Sequence, residues 1–165
     1  MTIREENRDL FTVPQGYYLA HCITADFSLG AGVAKKIDEV YNMKEKLFER
    51  YDFSGSISGF NTDSHMCKVL TIDNVYNLVL KKNPSKKAKY KKMRCVLENL
   101  KIEMEVNLVT KVAMPKIGCG HEGLDWDKVR EIIEEVFSDT DIEILICSLD
   151  SKRKNIELED DDDWE

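Results

Sequence analysis

Two glycine-containing stretches in this sequence each follow an apolar run, and both could hold a phosphate group. The first, Leu29-Gly30-Ala31-Gly32-Val33-Ala34, follows the apolar run from Tyr17 to Ile23. The second, from Pro115 to Gly120, follows the apolar run from Leu108 to Met114. Glycine lets the backbone approach an anion closely, and the free N–H groups of a helix N-terminus point at it. Either stretch alone is also typical of a plain tight turn.

Four further residues are of types that do chemistry. Lys81 ends an apolar run among other cations, and positive neighbours with partial burial favour the neutral amine that can act as a nucleophile. Glu122 follows the second glycine stretch and could move a proton. By themselves, a solvated lysine and a surface carboxylate are the commoner interpretations. Cys119 lacks a histidine base placed by the sequence, which favours a packing role, and His21 in an apolar run is typical of a core histidine.

The segments that would position these residues alternate between strand and helix patterns. We predict an edge strand over 2–6, strands over 17–23, 66–72, 75–80, 108–114 and 141–149, and a loop over 54–63. Helices are predicted over 35–51 and 86–105 and after Asp125 as a cap, with Val40 on the buried stripe of the first. Such alternation indicates a largely parallel sheet, whose strand ends meet at one edge where ligands bind. Two anion-ready loops there would suit two phosphates, or a phosphate and a sugar.

Composition narrows the class of protein. The 165 residues suggest one domain, and no run approaches the ~18 apolar residues of a membrane span. The N-terminus is polar, unlike a signal peptide. Five dispersed cysteines without a Cys-x-x-Cys pair predict reduced thiols in a cytoplasmic protein, and three histidines without ligand spacing predict no metal.

Charge is unevenly distributed along the chain, whose net charge is −7. The block from Lys81 to Arg94 has eight basic residues and no acidic one, and it could face a polyanion. Residues 157–165 contain seven carboxylates and no base. We therefore predict a globular domain over residues 1–150 and a disordered tail over 151–165, basic and then acidic.

Several of these motifs, in this order, resemble the macro domain family, and the later ones resemble its branch containing the terminal ADP-ribose protein glycohydrolase. The similarity covers about residues 2 to 150. The matching motifs are Arg8-Asp9-Leu10-Phe11, Leu19-Ala20-His21-Cys22-Ile23, Gly30-Ala31-Gly32-Val33-Ala34, Leu78-Val79-Leu80-Lys81-Lys82, Met114-Pro115-Lys116-Ile117-Gly118-Cys119-Gly120 and Glu134-Glu135-Val136-Phe137.

The resemblance implies a three-layer α/β/α sandwich around a mixed, largely parallel sheet of about six strands. It implies ADP-ribose as ligand, ADP-ribosylated protein or nucleic acid as partner, a monomer, and no cofactor. Asp9 would accept from the adenine amino group, residues 30–32 and 116–120 would flank the diphosphate, and Leu149 would close the adenine end. The full set of implied substrate contacts is Asp9, Leu10, His21, Leu29, Gly30, Ala31, Gly32, Val33, Pro115, Lys116, Ile117, Gly118, Cys119, Gly120, His121 and Leu149.

The same resemblance implies that Lys81 attacks the anomeric carbon of the distal ribose and that Glu122 assists, releasing ADP-ribose from an ester. The chain departs from the family pattern in having Arg8 for the usual glycine, Glu122 after His121 where relatives commonly have aspartate, and Cys147 for an aromatic residue. Three alternatives remain open: an ADP-ribose 1''-phosphate phosphatase, a non-catalytic ADP-ribose reader, and a nucleic-acid-directed protein that uses the basic block.

Overall fold

The computed structural model describes residues 1–51 and 65–149, so the loop predicted over 54–63 and the predicted tail lie outside the described residues. The strands are β1 (Thr2–Asn7), β2 (Tyr18–Thr24), β3 (Val69–Ile72), β4 (Val75–Lys81), β5 (Lys111–Met114) and β6 (Glu143–Ser148). The α-helices are α1 (Gly32–Tyr41), α2 (Met43–Tyr51), α3 (Tyr90–Val106) and α4 (Trp126–Phe137), and a short 3₁₀ helix spans Leu10–Thr12.

The strands form one six-stranded sheet in the order β1-β6-β5-β2-β4-β3. All neighbours are parallel except β3 and β4, which are antiparallel and joined by a turn at Asp73, where φ is 53°. β4 is buried at every position, as expected of a strand with helices on both faces. The mixed, largely parallel sheet confirms the predicted fold class.

Two apolar clusters fill the space between the sheet and its helices. Ile37, Met43 and Leu47 pack α1 and α2 on one face. On the other face, residues such as Met93 of α3 and Ile133 of α4 pack against the sheet, both fully buried. No helix in the described parts of the chain is both long and apolar enough to cross a membrane.

Four predicted elements were wrong in their bounds, and the first is the helix predicted over 86–105, which begins at Tyr90. The single helix over 35–51 is two helices, because Asn42 between them adopts left-handed backbone with φ of 55°. Val40, placed on the buried stripe, is 53% exposed as a result. The strands predicted over 66–72 and 108–114 begin later, because Cys67 and Leu108 also have positive φ, which interrupts extended backbone.

Candidate functional site

The carboxyl ends of five parallel strands meet at one edge of the sheet and define a crevice. In sheet order, β1 leads to Asp9, β6 to Leu149, β5 to the loop 115–125, β2 to the loop 25–31, and β4 ends in Lys81. With strands spaced ~4.8 Å apart, β1 and β4 are separated by about 19 Å. The crevice therefore suits an elongated ligand that lies across the strand ends.

The order in which strands are added to the sheet reverses at the neighbouring strands β2 and β5: the strands that follow β2 lie on one side of this pair, and β6, which follows β5, lies on the other. From β2 it continues into α1 on one face, whereas from β5 it continues into α4 on the other face. Neighbouring strands whose connections leave toward opposite faces form the switch point at which open α/β sheets bind ligands. The centre of the crevice therefore lies between the β2–α1 loop and the β5–α4 loop.

The β2–α1 loop is held in an unusual backbone conformation by its own side chains. Phe27 and Leu29 both have positive φ, 56° and 41°. The Thr24 hydroxyl donates to Asp26 Oδ1 at 2.6 Å, and the Ser28 N–H donates to the same oxygen at 3.2 Å. Non-glycine residues with positive φ are costly and persist where the surrounding structure enforces them. This loop is therefore fixed in shape before any ligand arrives.

The start of α1 offers unpaired backbone donors to the crevice. Its N-cap residue, Ala31, has no side chain that can accept from the first turn. Gly32 opens the helix with φ of 60°, and a Cβ atom added there would meet nothing within 4 Å. The first N–H groups of an uncapped helix attract anions. The start of α1 thus offers backbone donors at residues 30–33, where a phosphate site stays a prediction.

The β5–α4 loop is built differently. Gly118 has φ of 74°, and a Cβ atom there would lie 2.7 Å from Met93 Cε and 3.0 Å from Leu124 Cδ1. The helix that follows is already capped, because Asp125 Oδ1 accepts from the Asp127 N–H at 3.1 Å. The predicted Asp125 cap is therefore confirmed, and its carboxylate occupies the position that an anion would take at the start of α4. Contact of residues 116–120 with a ligand stays a prediction.

Lys81 and Glu122 meet at the β4 end of the crevice. Lys81 is 8% exposed, and its Nζ lies 3.9 Å from Glu122 Oε2. The same Nζ donates to the Pro84 carbonyl at 3.5 Å, and the Lys81 carbonyl accepts from Ala25 N–H at 2.9 Å. The pairing of β2 with β4 and the path of the β5–α4 loop bring these residues together across 41 positions of sequence.

Two thiols lie near this pair. Burial, followed by the charge of Glu122, raises the pKa of Cys22. Burial, followed by the charge of Asp125, raises the pKa of Cys119 to about 11, and its Sγ donates to the Ile117 carbonyl at 3.2 Å. A thiol with a raised pKa is a poor nucleophile.

Residues 20–133 match the model of the Macro domain family. The chain belongs to the macro domain family. It is 37% identical over 141 residues to the ADP-ribose glycohydrolase OARD1 of Bos taurus, covering 86% of this chain and 88% of that protein. The Homo sapiens protein of the same name is 36% identical over the same shares. Among solved structures, the macrodomain of Thermus aquaticus DarG has a TM-score of 0.71 at 19% identity, covering 89% of this chain and 98% of that one. These matches confirm the resemblance.

At the far end of this macro domain crevice, Asp9 follows β1 and caps the 3₁₀ helix. Its Oδ1 accepts from Phe11 N–H at 2.9 Å, so Oδ2 is the carboxylate oxygen left for another donor. Arg8, at the usual glycine position, donates its N–H to Ser148 O at 3.2 Å, which brings Asp9 beside the end of β6. Leu149 is the next residue there and is 45% exposed.

Several predicted contact residues are buried and could meet a ligand only through their backbone. They are Leu10, Leu29, Ile117 and Gly118. The prediction that the His21 side chain contacts the ligand is wrong. His21 is 1% exposed inside β2 and hydrogen-bonded to Asn77 at 2.6 Å, so it presents no surface to a ligand. The other predicted contacts are partly or fully exposed at the crevice edge: Gly30, Ala31, Gly32, Val33, Pro115, Lys116, Cys119, Gly120 and His121.

Sequence reasoning missed the residues that shape the loops. Thr24, Asp26 and Ser28 form a Thr-x-Asp-x-Ser series, and an aspartate that accepts from backbone two residues later is a recognisable turn signal. Pro84, whose carbonyl meets Lys81, had no such signal. Among residues 1–51 and 65–149, no group of three or more His, Cys, Asp or Glu side chains is arranged to hold a metal ion.

Proposed function

We propose that this macro domain is an ADP-ribose glycohydrolase that releases ADP-ribose from ester-type linkages, with Lys81 as nucleophile and Glu122 as its acid–base partner. The observation that supports it best is the meeting of these two side chains at 3.9 Å, in the crevice and at the end opposite Asp9. The similarity to glycohydrolases over most of the chain supports the same class of reaction.

The order of groups along the crevice suggests how ADP-ribose lies in it. Adenine would bind at the β1 and β6 ends, where Asp9 accepts from its amino group and Leu149 covers the ring. The diphosphate would bind at the first turn of α1, whose N–H groups and dipole favour negative charge. The distal ribose would then lie beyond β2, within reach of Lys81.

The proposed reaction begins with the Lys81 amine. It attacks the anomeric carbon as the bond from that carbon to the ester oxygen breaks, and the carboxylate leaves with the bonding electrons. Glu122 takes the proton that the attached nitrogen loses and passes it to the ring oxygen as the bond from the anomeric carbon to that oxygen breaks, so the sugar opens and the adduct becomes a protonated imine. Glu122 then takes a proton from the water that adds to the imine carbon and gives it to the nitrogen, the carbon–nitrogen bond breaks, and ADP-ribose and Lys81 are released. Glu122 is one methylene longer than the usual aspartate, and its reach to Lys81 shows that the longer side chain meets the amine.

Replacement of Lys81 tests the nucleophile. Lys81→Ala should lower release of ADP-ribose from glutamate-modified protein by at least ~1,000-fold, because no other amine replaces it. Calorimetry should show ADP-ribose affinity within about threefold of wild type, since only a reacting group is removed. Borohydride should trap a covalent adduct on the Lys81 peptide of wild type, detected by mass spectrometry.

Lys111→Ala is the matched control, because Lys111 is an exposed lysine at the amino end of β5, on the edge of the sheet opposite the crevice. It should keep full activity. If Lys81→Ala also keeps full activity and wild type yields no trapped adduct, the lysine mechanism is wrong. Release of phosphate from ADP-ribose 1''-phosphate would then indicate the phosphatase, and binding without turnover would indicate the reader.

The second part of the proposal concerns the acceptor, the molecule to which ADP-ribose is attached. Protein carboxylates, O-acetyl-ADP-ribose and nucleic acid all supply suitable linkages. Exposed lysines at 86, 87, 89, 91 and 92 lie between the end of β4 and the first turns of α3, which favours a polyanionic acceptor as the second candidate. Parallel assays on modified protein and modified DNA, compared by kcat/KM, decide between them. We further propose that the protein acts as a cytoplasmic monomer, in line with its five free cysteines.

A further inference from the structure

Two of the five cysteines lie where α3 packs beside the segment that leads into β3. Cys67 precedes β3 and is 8% exposed, whereas Cys95 lies on α3 and is exposed. The Cys95 side chain is a close neighbour of the Cys67 thiol. The other three cysteines, Cys22, Cys119 and Cys147, are buried or half-buried and have no such exposed partner among the described residues.

Backbone and side-chain contacts fix this pair independently of the thiols. Asn99, one helical turn after Cys95, donates its Nδ2 to the Cys67 carbonyl at 2.7 Å. Residues four apart on a helix lie on the same face, so Asn99 and Cys95 approach Cys67 from the same side. The Cys67 N–H donates to the Val79 carbonyl at 3.1 Å, which attaches this residue to β4. Cys67 is therefore held between β4 and α3.

We propose that Cys67 and Cys95 are an oxidation site at which a reversible disulfide joins the start of β3 to α3. The oxidant is a hydroperoxide, for which hydrogen peroxide is the simplest example. This inference goes beyond the glycohydrolase activity and does not depend on it.

The two thiols divide the reaction between them. The exposed Cys95 sulfur attacks the peroxide, whose O–O bond breaks, giving a sulfenic acid and one water. The Cys67 sulfur then attacks the Cys95 sulfur, the S–O bond breaks, and a second water leaves. The two sulfurs together lose two electrons and two protons. Burial raises the pKa of Cys67 to about 11, and the positive charge of Lys92 opposes this only in part, so the exposed Cys95 is the thiol that attacks the peroxide.

The disulfide would close a loop of about 29 residues, from Cys67 to Cys95. Such a cross-link restricts the unfolded chain and should raise Tm by about 5 to 10 °C. The full-length protein is treated with hydrogen peroxide and digested without reductant. Mass spectrometry should find the Cys67 and Cys95 peptides joined with a loss of about 2 Da, and dithiothreitol should separate them and reverse the Tm shift.

The matched control moves the exposed thiol along the same helix. In Cys95→Ser/Ile102→Cys the thiol lies seven residues away, ~10 Å further along α3, which is too far to join Cys67. Ile102 is 57% exposed, so this variant should fold as wild type does. It should form no cross-link and show no Tm shift. Cross-linking to any other cysteine, oxidation of Cys95 to a sulfinic acid with Cys67 left free, or equal cross-linking in the control would overturn the proposal.

Discussion

The loop between β2 and α1 leaves space above its glycines, whereas the loop between β5 and α4 fills that space with side chains. Gly30 has only the Ser28 carbonyl within 4 Å of an added Cβ atom, and Gly32 has nothing. Gly118 lies under Met93 and Leu124. The same residue type thus leaves open space in one loop and permits close packing in the other. A helix start without a cap accompanies the open loop, and a capped one accompanies the packed loop.

The largest expected effect is on binding at the open loop. Gly30→Val places a branched side chain where we propose that the diphosphate approaches the backbone, and it should weaken ADP-ribose binding at least ~100-fold by calorimetry. The backbone of Gly30 does not need positive φ, so Tm should change by less than about 2 °C. Unchanged affinity in a folded variant would mean that this loop does not contact the ligand.

The packed loop should respond in stability instead. Gly118→Ala combines left-handed backbone with overlap against Met93 and Leu124, and should lower the free energy of unfolding by about 2 to 3 kcal/mol in urea titrations. Gly123→Ala is the control, because Gly123 has φ of 80° but open space around it, and it should cost about 1 kcal/mol. Equal losses in both variants would show that the packing of Gly118 against Met93 and Leu124 does not contribute to stability.

A fall in pH should destabilise the protein through His21 in β2, the strand that leads into the open loop. Burial lowers the pKa of His21 to about 4, although its hydrogen bond to Asn77 opposes the shift. Asn77 Nδ2 donates to Leu70 O at 2.9 Å, so its Oδ1 accepts from His21 Nε2. Between pH 6.5 and 4 the unfolded state binds more protons, so the contribution of His21 is complete above pH 6.5 and is lost as pH falls toward 4.

We expect this histidine to account for about 2 kcal/mol of the loss in unfolding free energy between pH 8 and pH 5. His21→Gln keeps a donor for Asn77 but does not titrate. The difference between wild type and this variant at the two pH values isolates the contribution from all other groups. A variant that loses as much stability as wild type would show that His21 is not the acid-sensitive residue.

The smallest effects concern the two helix starts, and they should have opposite signs. Asp125→Ala removes the cap of α4 and should cost about 1 kcal/mol of stability without changing ADP-ribose affinity. Ala31→Asp adds a cap to α1 and should add up to about 1 kcal/mol, while its carboxylate weakens ADP-ribose binding about tenfold. Chemical denaturation and calorimetry on both variants test this. Tighter binding by Ala31→Asp would contradict an anion site at α1.

The parts of the fold that sequence could predict are those that depend on local pattern. β2, β4 and α4 lie within a residue or two of their predicted bounds, because their apolar periods are long and their ends are marked. The break at Asn42 was missed because the apolar positions continue across it, and only its left-handed backbone separates α1 from α2.

For the candidate site, the positions of the strand ends were predictable from local pattern, but the side-chain contacts were not. Parallel strands bring their carboxyl ends together, so the residues after each strand could be placed at one edge from the sequence. The packing of Gly118 could not, because Met93 is on a different helix and 25 positions earlier. The burial of His21 likewise depends on its neighbour in β4, Asn77, which the strand pattern alone does not identify.

The pairing of β1 with β6 has a consequence for synthesis of the protein. Among residues 1–51 and 65–149, β6 is the single strand that pairs with β1, and its partner residues are about 140 positions later. During translation, β1 and Asp9 therefore cannot join the sheet until β6 has left the ribosome. Contacts this distant in sequence slow folding. Until then the nascent chain exposes an unpaired edge of β5, which makes it a candidate for chaperone binding during translation.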